Sequence, residues 1–349
     1  MTITFLIGNG FDINIGMATR YKDFYKYYVN LPSECDLIES LKEKIQNDIE
    51  TWADLETKLG QYIECLKTVE EFDIIFDDIK DSLSEYLRQE EQKYDYPESE
   101  RQKLFKSLMY PERYLPRADY AKLSKLRDSS YTNVSIISFN YTESLEKFLG
   151  KINTYRNIEC VLDGKKFSIP RISHIHGYIS ERMALGVNDV SQINNETLKS
   201  DQDIVTSLVK PEFNKELRHL IDRDCQASIE DATWICLFGL SLGDTDRCWW
   251  RTIGQYMINN TYCRLLIFSR DSDFPANREN LRIRRENRIR NEFLKKTNLS
   301  KDQCDLIQDR IFIGYNTKLF DIKVAKKAID QKSIQENQPT KVKTVSTVG

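Results

Sequence analysis

The chain has 349 residues, of which 40% are hydrophobic and 11% aromatic, so a large domain with an insertion, or two domains, is expected and wholesale disorder is not. The net charge of −3 gives no global basic excess of the kind nucleic-acid binders show. None of the eight cysteines forms a CxxC pair, no stretch reaches roughly 18 apolar residues, and the first residues lack the basic start of a signal peptide. These absences predict a reduced, cytoplasmic protein with no structural zinc and no membrane contact.

In chain order, Ile3, Phe5, Leu6 and Ile7 form a short apolar run halted at Gly8-Asn9-Gly10, as the first strand of a doubly wound sheet is. A helix is expected from Thr19 to about Asn30. From about Ser33 to Leu126, apolar residues recur at three- and four-residue spacing among charges, for example Leu37, Ile38, Leu41 and Ile45. This predicts a helical insertion over about 31–130, splitting an α/β domain of 1–30 and 131–325. Strand character then returns. Val134–Phe139 closes on Asn140-Tyr141-Thr142, and Ile172–Ile175 closes on His176-Gly177. Thr233–Phe238 closes on Gly239-Leu240-Ser241-Leu242-Gly243, and Arg264–Phe268 closes on Ser269-Arg270. A basic amphipathic helix is expected over Arg278–Lys296, which suits a solvated face, an acidic partner or nucleic acid. The tail 328–349 has no apolar period and is expected to be disordered. No internal repeat is visible.

Five apolar runs thus each end in a polar or glycine-rich turn. In open α/β sheets, ligands bind outside the carboxyl ends of the strands, so these turns fall where a site belongs. Gly8 and Gly10 suit close approach to a phosphate or an ordinary strand-to-helix turn, and the third glycine of a dinucleotide fingerprint is replaced by Ile13. Asp12, two residues after Gly10, suits a ligand hydroxyl or a turn cap. Asn140 can both donate and accept, which suits a carboxamide or ribose hydroxyl, though taken in isolation an Asx-turn or N-cap is the simpler reading. His174 and His176 share a strand face, but a catalytic metal wants three protein ligands and no carboxylate is near in sequence. His176, before glycine at a strand end, is better placed as a base, and His174 as a hydrogen-bonded structural residue. Ser241, Asp244 and Asp246 suit ribose or phosphate binding, with helix capping the simpler role for the two aspartates.

Leu6–Asp12 with Gly16 and Thr19, Ser138–Thr142, His174–Gly177, Phe238–Gly243 and Trp52–Glu56 together resemble the AbiH family of bacterial abortive-infection proteins. That family is in turn distantly similar to sirtuins and sirtuin-like NADases. The resemblance implies an α/β, Rossmann-like (sirtuin-like), mostly parallel sheet with a helical insertion. It implies phage defence through NAD+ hydrolysis at the nicotinamide–ribose bond, with NAD as substrate and no metal. Asn140 would position the ribose and water, and His176 would be the base. Gly8, Asn9, Gly10, Phe11, Asp12, Gly239, Ser241 and Asp244 would line the dinucleotide. Thr142 stands where sirtuins carry aspartate, and their four-cysteine zinc module is missing, which argues against protein deacylation. A non-catalytic nucleotide sensor and a nuclease toxin are the alternatives. The toxicity of NAD loss implies control by a homo-oligomer or a regulatory partner protein, with a phage component as trigger.

Overall fold

The computed structural model describes residues 1–127, 130–150, 157–271 and 278–327. The expected disordered tail, 328–349, lies outside them. Ten strands are present among the described residues: β1 (Thr2–Ile7), β2 (Tyr94–Asp95), β3 (Tyr131–Ser138), β4 (Ile158–Leu162), β5 (Lys165–Ile169), β6 (Ile172–His174), β7 (Trp234–Phe238), β8 (Arg264–Ser269), β9 (Ile311–Tyr315) and β10 (Ala325–Lys326). Eight of them form one sheet in the order β4-β5-β3-β1-β7-β8-β9, with β6 also on β3, while β10 pairs with β2 apart from it.

The third parallel position is shared. β5 pairs with the start of β3 and β6 with its end, because Pro170 between them has no N–H to give the ladder. Only the β4–β5 hairpin is antiparallel within this sheet. Counting the parallel positions along the chain, they lie 3-2-1-4-5-6, the order of a Rossmann-like doubly wound sheet, with its switch point between β1 and β7. The five expected strands are all there, and their carboxyl ends share one edge. β9 is a sixth parallel strand that the sequence reading did not mark, and neither did it mark the β4–β5 hairpin.

The strands are apolar on both faces because both faces are covered. Ile3, Phe5 and Ile7 pack with Leu104, Phe148 and Phe320 on one side. On the other, Leu6, Ile137 and Leu237 pack with Ile229, Trp250 and Ile253. A separate core joins the helices Tyr21–Tyr28, Asp36–Asn47, Leu55–Tyr62 and Val69–Gln92 through Phe24, Leu41, Ile45, Leu59 and Phe72. It also takes Met183, Leu185 and Leu208 from the chain after β6, whereas Leu104, Leu108 and Leu123 join the sheet core. The helical layer is therefore built from two stretches of sequence and sits beside the carboxyl edge.

At the switch point two turns meet backbone to backbone. Gly8 N–H donates to Phe238 O and Gly10 N–H to Gly239 O, each at 2.9 Å. A Cβ on Gly10 would lie 2.3 Å from Gly239 Cα, and Gly239 itself has φ +69°. Gly10→Ala is therefore expected to cost about 1–3 kcal/mol by overpacking, more than any helix-propensity gain of up to about 1 kcal/mol. Gly243→Ala, whose Cβ would meet nothing closer than 3.5 Å, should stay within about 0.5 kcal/mol of wild type. Urea unfolding of both variants checks this, and equal midpoints would contradict it.

Candidate functional site at the carboxyl edge

β3 and β6 run parallel with Ser138 opposite His174. Continuing that register past the strand ends brings Asn140 opposite His176. Asn140 is buried. Its carbonyl accepts a 2.8 Å hydrogen bond from His174 Nδ1, and its side-chain Oδ1 has no partner among the described residues. The helix that follows is capped at Glu143, so Asn140 neither caps it nor closes an Asx-turn. Such an orphaned buried acceptor is costly unless a ligand or water meets it.

The two histidines have different surroundings. His174 is fully buried, with Nε2 2.7 Å from Glu146 Oε1 and its ring 4.0 Å from that of Tyr178. Burial pushes its pKa down, but the Glu146 carboxylate outweighs burial and the net direction is up. His174 thus locks the Asn140 backbone in place, the structural role expected of it. His176 is also buried, edge-on to the Phe139 ring at 5.3 Å. Its Nε2 lies 3.2 Å from Asp246 Oδ1, short of good hydrogen-bond alignment, and its Nδ1 has no partner among the described residues. Gly177 follows because the Arg182 carbonyl fills the space a Cβ there would need, 1.9 Å away.

Asp246 belongs to a buried charge network. Lys210 Nζ lies 3.1 Å from Asp246 Oδ1 and 3.0 Å from Glu56 Oε2, and Tyr141 OH donates to Glu56 Oε1 at 3.3 Å. Burial alone would neutralise all three charged groups. For Lys210 the two carboxylates overcome it, so its pKa is raised and the ammonium is kept. For Asp246, the Lys210 charge and His176 overcome it, so the carboxyl is held well below the usual range. For Glu56 burial prevails over Lys210, with Asp246 adding to the upward shift. Lys210 is thus the one cation that the two carboxylates share.

Sequence reasoning missed Lys210 and the roles of Glu56 and Tyr141. Glu56 sits in the Trp52–Glu56 segment, where Asp54 caps the helix by accepting from Thr57 N at 3.1 Å and so aims the first turn inward. Asp246 occupies the N-cap position of the helix Arg247–Asn259, but neither its side chain nor that of Asp244 makes the expected capping hydrogen bond. Asp246 turns inward to Lys210 instead, while Asp244 turns outward, 2.8 Å from Lys296 and 2.9 Å from Arg247.

The remaining sequence candidates spread along the same edge. Asn9 is tied back to the loop at Thr19, donating to its carbonyl at 2.7 Å and accepting from its hydroxyl at 2.5 Å. Phe11 is core. Ser241 is exposed. Asp12 is buried and accepts hydroxyl hydrogen bonds from Thr142, at 2.6 Å, and from Ser144. Burial raises its carboxyl to about 6, the two hydroxyls only partly opposing the shift.

Compared with models of known families, residues 4–268 match the one described as Bacteriophage abortive infection AbiH. No curated protein matches the chain. Among the described residues, no helix is long and apolar enough to cross a membrane.

The Asp12 shift fixes a sign. An acid whose folded pKa is raised binds its proton more tightly when folded, so it lowers stability as pH rises from about 4 through about 6. Asp12→Asn removes that loss. Relative to wild type it should gain about 2 kcal/mol on going from pH 4 to pH 7, most of the roughly two pKa units at 1.36 kcal/mol each. Urea unfolding of both proteins at the two pH values measures the difference, and a pH-independent gap would refute the account of Asp12.

Proposed function

The chain belongs to the bacteriophage abortive infection AbiH family of phage-defence proteins, and from that premise we propose that it is an NAD+ hydrolase cleaving the bond between nicotinamide and ribose. The observation that carries the reading is the pair of orphaned buried atoms, Asn140 Oδ1 and His176 Nδ1, beyond adjacent strand ends at the carboxyl edge of a doubly wound sheet. That edge is where such sheets bind nucleotides.

NAD+ would lie across the edge near the switch point, its nicotinamide ribose toward Asn140. Gly8 and Gly10 already give their N–H groups to the β7 turn, so in this reading they hold the turns together and a phosphate draws on other groups along Gly8–Asp12 and Gly239–Asp244. The C1′–N bond breaks with its electron pair leaving on nicotinamide, and an oxocarbenium-like ribose forms. Asn140 Oδ1 accepts a hydrogen bond from the incoming water or a ribose hydroxyl. His176 Nδ1 takes the proton as water adds at C1′, giving ADP-ribose, nicotinamide and a proton.

Asp246 acts through His176 and is a positioning residue. With its negative charge 3.2 Å from Nε2, it favours the tautomer that carries hydrogen there and leaves Nδ1 free as the base. Lys210 keeps Asp246 ionised, Glu56 holds Lys210 from the helical layer, and Tyr141, past β3, donates to Glu56. No metal enters this scheme. An enzyme that consumes its host's NAD must be restrained, by self-assembly or by a partner protein, until a phage component releases it.

Nicotinamide release from NAD+ tests the proposal. Wild type should release it, His176→Ala should lose about 10²–10⁴-fold in kcat, and Asn140→Ala should fall comparably, both remaining folded. Asp246→Asn should lower kcat with little change in KM. Full turnover by His176→Ala would disprove the mechanism. Thermal stabilisation by NAD+ with no release from wild type would instead make the protein a nucleotide sensor.

A further inference from the structure

The helix Glu279–Lys296 carries seven Arg or Lys against three Glu in a chain whose net charge is −3. It packs on β9 and the neighbouring helices through Phe293 and Leu294, its two buried residues. Several of its cations are engaged with the body of the protein. Arg282 pairs with Glu286, Arg285 lies 4.0 Å from Asp271, Arg290 donates to Ile311 O, and Lys296 pairs with Asp244. Arg284, Arg288 and Lys295 differ: all three are exposed, and none has an ion pair among the described residues.

Positions 284, 288, 291 and 295 fall on one face of a helix. With Asn287 and Glu292 they line an open groove of about 520 Å³. We propose that this stripe, Arg284-Arg288-Asn291-Lys295, is a contact surface for the sugar–phosphate backbone of double-stranded nucleic acid. It is about 16 Å long at 1.5 Å per residue, and one DNA strand presents a phosphate roughly every 3.4 Å, so about five phosphates face it. Arginine and asparagine are side chains that meet phosphates and base edges, and they alternate here with one carboxylate among the six lining residues. Among the described residues the groove has no aromatic side chain on which an unpaired base would stack, which favours a duplex over a single strand.

The helix also touches the edge described above, because Asp244, held by Lys296, is two residues from Asp246. A duplex seated on the stripe therefore lies one ion pair away from the turn that carries the His176 partner.

Binding of a mixed-sequence 25-base-pair DNA duplex to the full chain, followed by fluorescence anisotropy from about 50 to 200 mM salt, tests the proposal. Three phosphate contacts predict that log K falls against log salt with a slope of about −3. Arg288→Ala should reduce the slope by about one. The triple variant Arg284→Glu, Arg288→Glu, Lys295→Glu should abolish binding. The same charge change at exposed Lys22, Lys26 and Lys67 should cost binding less than tenfold. No binding by wild type, or equal binding by Arg288→Ala and the triple variant, would overturn the proposal. Poly-glutamate bound as tightly as the duplex would also overturn it, in favour of an acidic protein partner. None of these outcomes depends on NAD+ turnover.

Discussion

The buried ammonium of Lys210 joins parts of the chain that are far apart in sequence. It holds Glu56 of the helical layer on one side and Asp246, just past β7, on the other, and Asp246 in turn touches His176 past β6. Three charged groups with little access to water are tolerable only together. Removing one partner of such a set leaves an uncompensated charge, typically worth about 3–5 kcal/mol. The network is therefore a weak source of net stability but a strong constraint on geometry. It fixes how the helical layer meets the carboxyl edge of the sheet, and it fixes the environment of one imidazole.

The glycine turns at the switch point complement this. Their backbones pack directly on each other, so β1 and β7 are held in register right up to the place where the chain direction diverges. On the other side of β1, His174 and Glu146 hold the Asn140 carbonyl. Supports thus surround three polar atoms, Asn140 Oδ1 and both ring nitrogens of His176, that have no hydrogen-bond partner among the described residues. Anchored supports around unsatisfied tips are what a preorganised site needs.

Much of this was legible in the sequence, for physical reasons. Five strands were visible because burial on both faces makes them continuous apolar runs, and their ends were visible because turns need glycine or polar residues. β9 was harder: Ile311–Tyr315 is a short run interrupted by Gly314, close behind the short polar helix Lys301–Ile307. The β4–β5 hairpin alternates lysines and acids with apolar residues at a sheet edge, so it reads as ordinary surface. Within the site, Asn140 and His176 stood out because each ends a strand. Lys210 did not, since a lysine before a proline in a polar stretch signals exposure, and only tertiary packing buries it. Asp244 and Asp246 are two residues apart in one tight turn. Local pattern gave both a capping role, while the fold sends one outward to Lys296 and the other inward to Lys210.

A crystal structure of the His176→Ala protein soaked with NAD+ would test the assignment of this edge most directly. The account predicts intact dinucleotide across the carboxyl ends of β1, β3 and β7, with the nicotinamide ribose within hydrogen-bond distance of Asn140 Oδ1. Dinucleotide bound elsewhere, or bound here in reverse with adenine against Asn140, would contradict it.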